Sequence, residues 1–223
     1  MSFIVAIDGP AGTGKGTITG ILSKEMGLVN IDTGATYRCV ALYAIENNIK
    51  LEEKEKIIAS LPNINIDMIN NNGVQTIFLN GKDVTKEIRS KEVTQIVSQV
   101  SSIKEVRYAM VEVQRNLAKG KDVIMEGRDI TTYVFPNADV KIYMDADENE
   151  RAKRRYKEIQ EKGIEMSYEE VLKNIQIRDK NDKEKEIGAL KIAEDAIYVD
   201  TTELTIDEVK EKVKKIIEEK RGK

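Results

Sequence analysis

A chain of 223 residues, 34% of them charged and 40% hydrophobic, has the balance of one folded core with small appendages and not of a disordered segment. A formal net charge of -3 supplies no basic field for nucleic acid, and no apolar stretch is long enough to cross a bilayer. With no histidine and the single Cys39, the chain can build no Ser-His-Asp or Cys-His nucleophile, no histidine or cysteine zinc site and no internal disulfide.

The opening Met-Ser leads into an apolar run with no signal-peptide pattern, so a reducing cytoplasm is the expected compartment. Chemistry that depends on position and fixed positive charge remains open, phosphoryl transfer first. The first strand-like run is Phe3–Asp8, and DGPAGTGKGT (Asp8 to Thr17) follows it directly. Gly9, Gly12 and Gly14 let backbone N–H groups wrap an anion, and Pro10, Ala11 and Thr13 complete the loop. Lys15 then opens a helix over Gly16–Met26, whose N-terminal amides favour negative charge. The bland alternative is a glycine-rich turn with no ligand. The strict pattern wants Ser or Thr after the lysine, and here Gly16 stands there with the hydroxyl displaced to Thr17.

A second strand over Val29–Ile31 ends in DTGATYR, followed by a helix over Thr36–Glu46. Thr33 offers a hydroxyl, Tyr37 a flat face with a polar tip and Arg38 a charged fork; a simple helix cap is the other reading of Asp32. From Ile64 to Val84 the apolar residues alternate, and Asn72-Gly73 and Asn80-Gly81 signal turns, which predicts a small antiparallel insert. A helix over Ile103–Lys119 leads to a third strand, Asp122–Glu126, and to EGRD, where Arg128 and Asp129 form either a site pair or a local ion pair. The remaining strands are Val140–Asp145 and Ile197–Asp200, with helices over Glu148–Glu161 and Ile206–Glu219. The charged stretch from Arg151 to Lys185 reads either as a mobile lid or as a solvated helix pair. Asp8 and Asp145 can order magnesium waters or serve only as caps.

Strands alternating with helices predict an α/β fold of P-loop NTPase type, a parallel five-stranded sheet flanked by helices. Ligands of such sheets bind beyond the carboxyl ends of the strands, so the three strand-end clusters share one site. The loop form GxxGxGKGT resembles that of the nucleoside-monophosphate kinases. DGPAGTGKGT, DTGATYR, SQVSSIKEVR and EGRDITTYVFPNADVKIYMDA, in this order, resemble bacterial cytidylate kinases, and the likeness extends to the final IYVDTTELTIDEV.

That resemblance implies transfer of the γ-phosphoryl group of ATP to CMP or dCMP, with Mg²⁺ held largely by phosphate oxygens and water and with no protein metal site. It implies donor phosphates on Gly9 to Thr17 and a CMP site of Thr33, Tyr37, Arg38, Ser98, Arg107, Arg128 and Asp129. Arg38 and Arg107 would hold the acceptor phosphate, while Ser98, Arg128 and Asp129 would read the cytosine edge. Arg151, Arg155 and Arg178, with Lys15, would carry the donor and transferring phosphates. The expected organisation is a core of residues 1–62, 90–150 and 186–223, with acceptor-binding helices at about 34–62 and 90–118, an insert at 63–89 and a lid at 151–185. A monomer without nucleic-acid or membrane partners is expected. The chain departs from the family pattern at Thr33, Glu126, Thr131, Lys185 and Ala189, where Ser, Asp, Gly, Arg and Pro are usual. Another P-loop kinase, for UMP or AMP, is the runner-up. A nucleotide-gated binding protein is the reading from a different class, although no NKxD motif reads guanine here.

Overall fold

The computed structural model describes residues 2–71, 74–161, 163 and 165–222. In chain order the first half comprises β1 (Ile4–Asp8), α1 (Lys15–Met26), β2 (Val29–Asp32), α2 (Thr33–Glu46), α3 (Lys54–Ser60), β3 (Ile66–Asn71), β4 (Val74–Leu79) and β5 (Lys82–Asp83). The second half comprises α4 (Lys91–Val100), α5 (Lys104–Ala118), β6 (Val123–Gly127), β7 (Val140–Asp145), α6 (Glu148–Glu161), α7 (Tyr168–Glu184), β8 (Ile197–Asp200) and α8 (Ile206–Arg221).

Five strands form a parallel sheet in the order β2-β6-β1-β7-β8, and β3-β4-β5 form a separate antiparallel sheet, both as the sequence predicts. Alternate residues of β1 face opposite layers, the period of a strand buried on both sides. Val5 and Ile7 pack with Ile18 and Leu22 of α1 and with Val209, Val213 and Ile217 of α8. Ala6 packs instead with Met125 of β6 and with Val111 and Ala118 of α5. The sheet order changes direction at β1, so the loop after β1 opens into the crevice between its two halves.

The insert is welded to α2, α3, α4 and α5. Ile66, Ile77 and Leu79 share one buried cluster with Val40 of α2, Ile57 of α3, Val97 of α4 and Met110 of α5. The Asn30 carbonyl of edge strand β2 accepts from Asn70 Nδ2 at 2.9 Å and Gln75 Nε2 at 2.8 Å, so the insert also covers that edge. Asn80 and Gly81 both have positive φ, 51° and 82°, as a tight β4–β5 turn demands. The other predicted turn, Asn72-Gly73, lies outside the described residues.

Two details differ from the sequence reading. Helix α2 begins at Thr33 and not at Thr36, because Asp32 Oδ1 accepts from the Ala35 N–H at 3.2 Å and caps it there. A π-type turn over Ile130–Val134 follows β6, where no element was expected. Its cause is Asp8, whose carboxylate accepts from the N–H groups of Ile130 and Thr131 and from Thr131 Oγ1, at 2.6 to 2.9 Å. Helices α6 and α7 pair around Ala152, Ile159, Val171 and Ile175, with a capping box of Ser167 and Glu170 starting α7.

Candidate active site

The P-loop has the form its glycines predict. Gly9 sits at φ 150°, and a Cβ there would lie 1.9 Å from the Met144 carbonyl oxygen, so only glycine lets the loop pass β7. Lys15 is buried, and its Nζ donates to the Gly9 and Pro10 carbonyls at 2.8 and 2.6 Å and to Thr13 Oγ1 at 3.1 Å. Burial first, and the Arg128 charge second, push its ammonium down to about 7. An arriving phosphate would reverse that shift.

The structure explains Gly16. A Cβ at that position would stand 2.7 Å from Glu126 Oε1, so the longer acid at the end of β6 fills the space of the missing Ser or Thr side chain. Burial, with Asp32 as the next cause, pushes Glu126 up to about 7. Asp8 is fully committed to the turn after β6, and Asp145 accepts from the Ala146 N–H and the Tyr198 hydroxyl; both therefore act as structural acceptors. Among the described residues no group of three or more His, Cys, Asp or Glu side chains is arranged to hold a metal.

A cleft beyond β2 and β6 gathers Thr33, Tyr37, Arg38, Ser98, Arg107, Arg128 and Asp129, all seven residues expected on the acceptor side, and adds Arg178 from α7. They fall into two groups. In the first, Arg107 and Asp129 are almost wholly buried and ion-paired, with the Arg107 guanidinium 5.2 Å from the centre of the Tyr37 ring. Burial raises the Asp129 carboxyl above its ordinary range despite Arg107. Ser98 Oγ and Arg107 Nε are buried without a hydrogen-bond partner among the described residues. Lys185 donates to Ser101 Oγ at 3.1 Å and Asp182 Oδ1 at 2.8 Å, which keeps its charge beside this group.

The second group is cationic. Arg38 Nη1 donates to the Ile88 carbonyl and Thr94 Oγ1, each at 3.0 Å. Arg128 Nε donates to Asp182 Oδ2 at 2.8 Å. The Arg178 side chain makes no hydrogen bond or ion pair among the described residues; burial and then the Arg128 charge push it down to about 10. A partly buried cation without a counter-ion, as Arg178 is among the described residues, is costly unless a ligand supplies the charge.

Other candidates lie outside the cleft. Arg151 is buried and donates to the P-loop carbonyl of Ala11 at 3.1 Å, to the Ala146 carbonyl and to Asp179 Oδ2 at 2.6 Å, so in this conformation it braces the loop from α6. Arg155 pairs with Glu158 at 2.6 Å one turn along α6. Thr33 does line the cleft, but its hydroxyl is spent on the Glu126 carbonyl at 2.7 Å, tying the start of α2 to β6.

The sequence missed several participants. Asp182 follows Arg178 by one helical turn of α7, a spacing that could have flagged it. Burial opposes its charge, yet Arg128 and Lys185 hold its carboxyl well below the usual range. Gly188 closes over the Arg107–Asp129 pair: a Cβ there would lie 2.1 Å from Asp129 Oδ2 and 2.2 Å from Arg107 Nη2. No local pattern marks it.

The sequence profile described as cytidylate kinase matches residues 5–219. The chain belongs to the cytidylate kinase family. A cytidylate kinase of Caldicellulosiruptor saccharolyticus is 50% identical over 209 residues, covering 94% of this chain and 92% of its own. One from Lactobacillus johnsonii is 46% identical and covers 97% and 94%, and one from Thermosipho melanesiensis is 45% identical and covers 97% of each chain. The crystal structure of an uncharacterized protein from Eubacterium ventriosum shares the fold alone, with a TM-score of 0.50 and 11% identity over 97% of this chain and 99% of that one. A member of this family is a phosphotransferase, which fits the cationic group of Arg128 and Arg178 beside Lys15. No helix among the described residues is long and apolar enough to cross a membrane.

Proposed function

We propose that the chain transfers the γ-phosphoryl group of ATP to CMP or dCMP, releasing ADP and the nucleoside diphosphate, and that the two groups in the cleft divide the acceptor between them. Arg107, Asp129 and Ser98, beside Tyr37, read cytosine. Arg38, Arg128 and Arg178 hold the acceptor phosphate against the P-loop. Relative to the sequence expectation, Arg107 and Arg128 exchange roles. The observation that carries this reading is the company each arginine keeps: Arg107 is sealed with Asp129 behind the Tyr37 ring, whereas Arg128, although paired with Asp182, stands close enough to Lys15 and the unpaired Arg178 to act on both.

The chemistry agrees. The Asp129 carboxylate accepts from the cytosine N4 amino group, while Arg107 and Ser98 can donate to the ring acceptors. Uracil would set a carbonyl against that carboxylate. Discrimination at a buried polar site of this kind reaches roughly 10⁴-fold.

Gly9 to Thr17 cradle the donor phosphates, and Lys15 follows the moving group as charge passes from donor to acceptor. Arg178 stands where it can serve both phosphates, and Arg155 would turn inward from the lid. The residues present fit Mg²⁺ held mainly by phosphates and water, with Glu126 beside Gly16 as the acid able to hold one of those waters. The ion would neutralise charge on the triphosphate. No general base is required, because the acceptor is already an ionised phosphate oxygen. In this reading residues 1–62, 90–150 and 186–223 form the core, 63–89 the insert and 151–185 the lid that excludes water. A coupled assay of ADP release tests it. CMP-dependent release well above that with UMP is expected, whereas equal rates with UMP, or release without any acceptor, would refute it.

A further inference from the structure

On α5, Arg107, Met110, Val111 and Gln114 are buried at the i, i+3, i+4, i+7 spacing of a core-facing stripe. Two of the four are polar. The Arg107 guanidinium lies 5.2 Å from the centre of the Tyr37 ring, and Gln114, two helical turns along the same face, is completely buried. An amide in such a position needs partners for both of its ends.

Thr36 settles one end. Its hydroxyl donates its single proton to the Thr33 carbonyl at 2.8 Å, so toward Gln114 it can only accept. It accepts from Gln114 Nε2 at 3.0 Å, which fixes the orientation of the amide. Gln114 Oε1 is left buried without a hydrogen-bond partner among the described residues, and so is the Tyr37 hydroxyl. One is an acceptor and the other a donor. Burial pushes the Tyr37 phenol up to about 12, so it keeps its proton, and Gln114 is close enough to act on it in the opposite direction. Tyr37 lines the cleft, and Gln114 is buried behind it. A flat group entering the cleft would press on the ring, and a small shift would close the gap between hydroxyl and amide oxygen.

We propose that Gln114 is a positioning residue for the acceptor base: its Oε1 accepts from the Tyr37 hydroxyl once the base is in the cleft, which fixes the ring as the wall the base lies against. The assignment rests on the base-end reading above. Because the bond is not made in this conformation, its free energy enters binding and not folding.

A crystal structure of the full chain with CMP, together with calorimetric titration of CMP, tests the assignment. In the complex the Tyr37 hydroxyl is expected about 2.7 Å from Gln114 Oε1. Gln114→Leu and Tyr37→Phe should each weaken CMP binding roughly 2- to 10-fold, the range of one neutral hydrogen bond. The double variant should match the more weakly binding single variant, since each change removes the same bond, while ATP affinity holds within about twofold in all three. Unchanged CMP affinity, losses that multiply in the double variant, an equal loss for ATP, or a separation beyond about 3.5 Å in the complex overturns this assignment alone. Should Gln114→Leu fail to fold, the distance in the parent complex decides. A pyrimidine bound away from Tyr37 overturns the base-end reading, and this proposal with it.

Discussion

At the base end of the cleft Arg107 and Asp129 cancel each other behind the Tyr37 ring, whereas at the phosphate end Arg38, Arg128 and Arg178 crowd together beside Lys15. The base end is neutral, buried and short of hydrogen-bond partners at Ser98 Oγ and Arg107 Nε. The phosphate end is charged and short of counter-ions, so that Arg178 is pushed down to about 10 by burial and then by Arg128. In the proposed reading each end is matched to the group it would receive: a planar base would satisfy the unpartnered polar atoms of one, and a phosphate would balance the charge of the other.

The largest test of this contrast is Arg178→Ala. Turnover should fall roughly 10³-fold, the effect of removing an arginine that clamps a transferring phosphoryl group, with a smaller change in CMP affinity. Steady-state kinetics alongside CMP titration checks this, and a loss confined to affinity would leave Arg178 on the acceptor phosphate alone. Next is Gly188→Ala, whose methyl would push into the Arg107–Asp129 pair. Breaking a buried pair costs about 3–5 kcal/mol, so CMP affinity should fall by roughly 10²-fold or more, while ATP affinity measured separately holds.

Asp8 fastens the turn after β6 to the P-loop strand, and its variant has the smallest effect. Asp8→Asn presents an amide to N–H donors and should cost about 1–3 kcal/mol in urea unfolding. Burial pushes the Asp8 carboxyl from 3.8 up to about 6. The folded state therefore holds that proton more tightly than the unfolded one. Its contribution to stability falls as pH rises from about 3.8 to about 6 and is level above that. The difference between parent and variant should follow that slope.

Much of this was legible in the residues. The glycines and lysine of DGPAGTGKGT, read after a buried strand, locate the anion nest, and the strand-to-helix alternation gives the sheet. The strand-end clusters identify Thr33, Tyr37, Arg38, Arg128 and Asp129 in the cleft, because the fold brings strand ends together, whereas Ser98 and Arg107, on α4 and α5, came only from the family resemblance. Their partition was not legible. Arg107 and Arg128 each meet a carboxylate from a distant segment, Asp129 and Asp182, and what separates them is that Arg128 also faces Lys15 and Arg178. The same holds for Gly188, whose role comes from what lies across the cleft, and for Arg151, which the fold turns onto the P-loop backbone. Glu126 was visible as a departure, but its reason appeared only when its carboxylate was found against Gly16.

The division of labour within the cleft is tested most directly by the ratio of kcat/KM for CMP to that for UMP in Arg107→Lys and Arg128→Lys. The account predicts that Arg107→Lys collapses the ratio, while Arg128→Lys slows both nucleotides alike and preserves it. A preserved ratio in Arg107→Lys, with the loss of selectivity falling on Arg128→Lys, would contradict it.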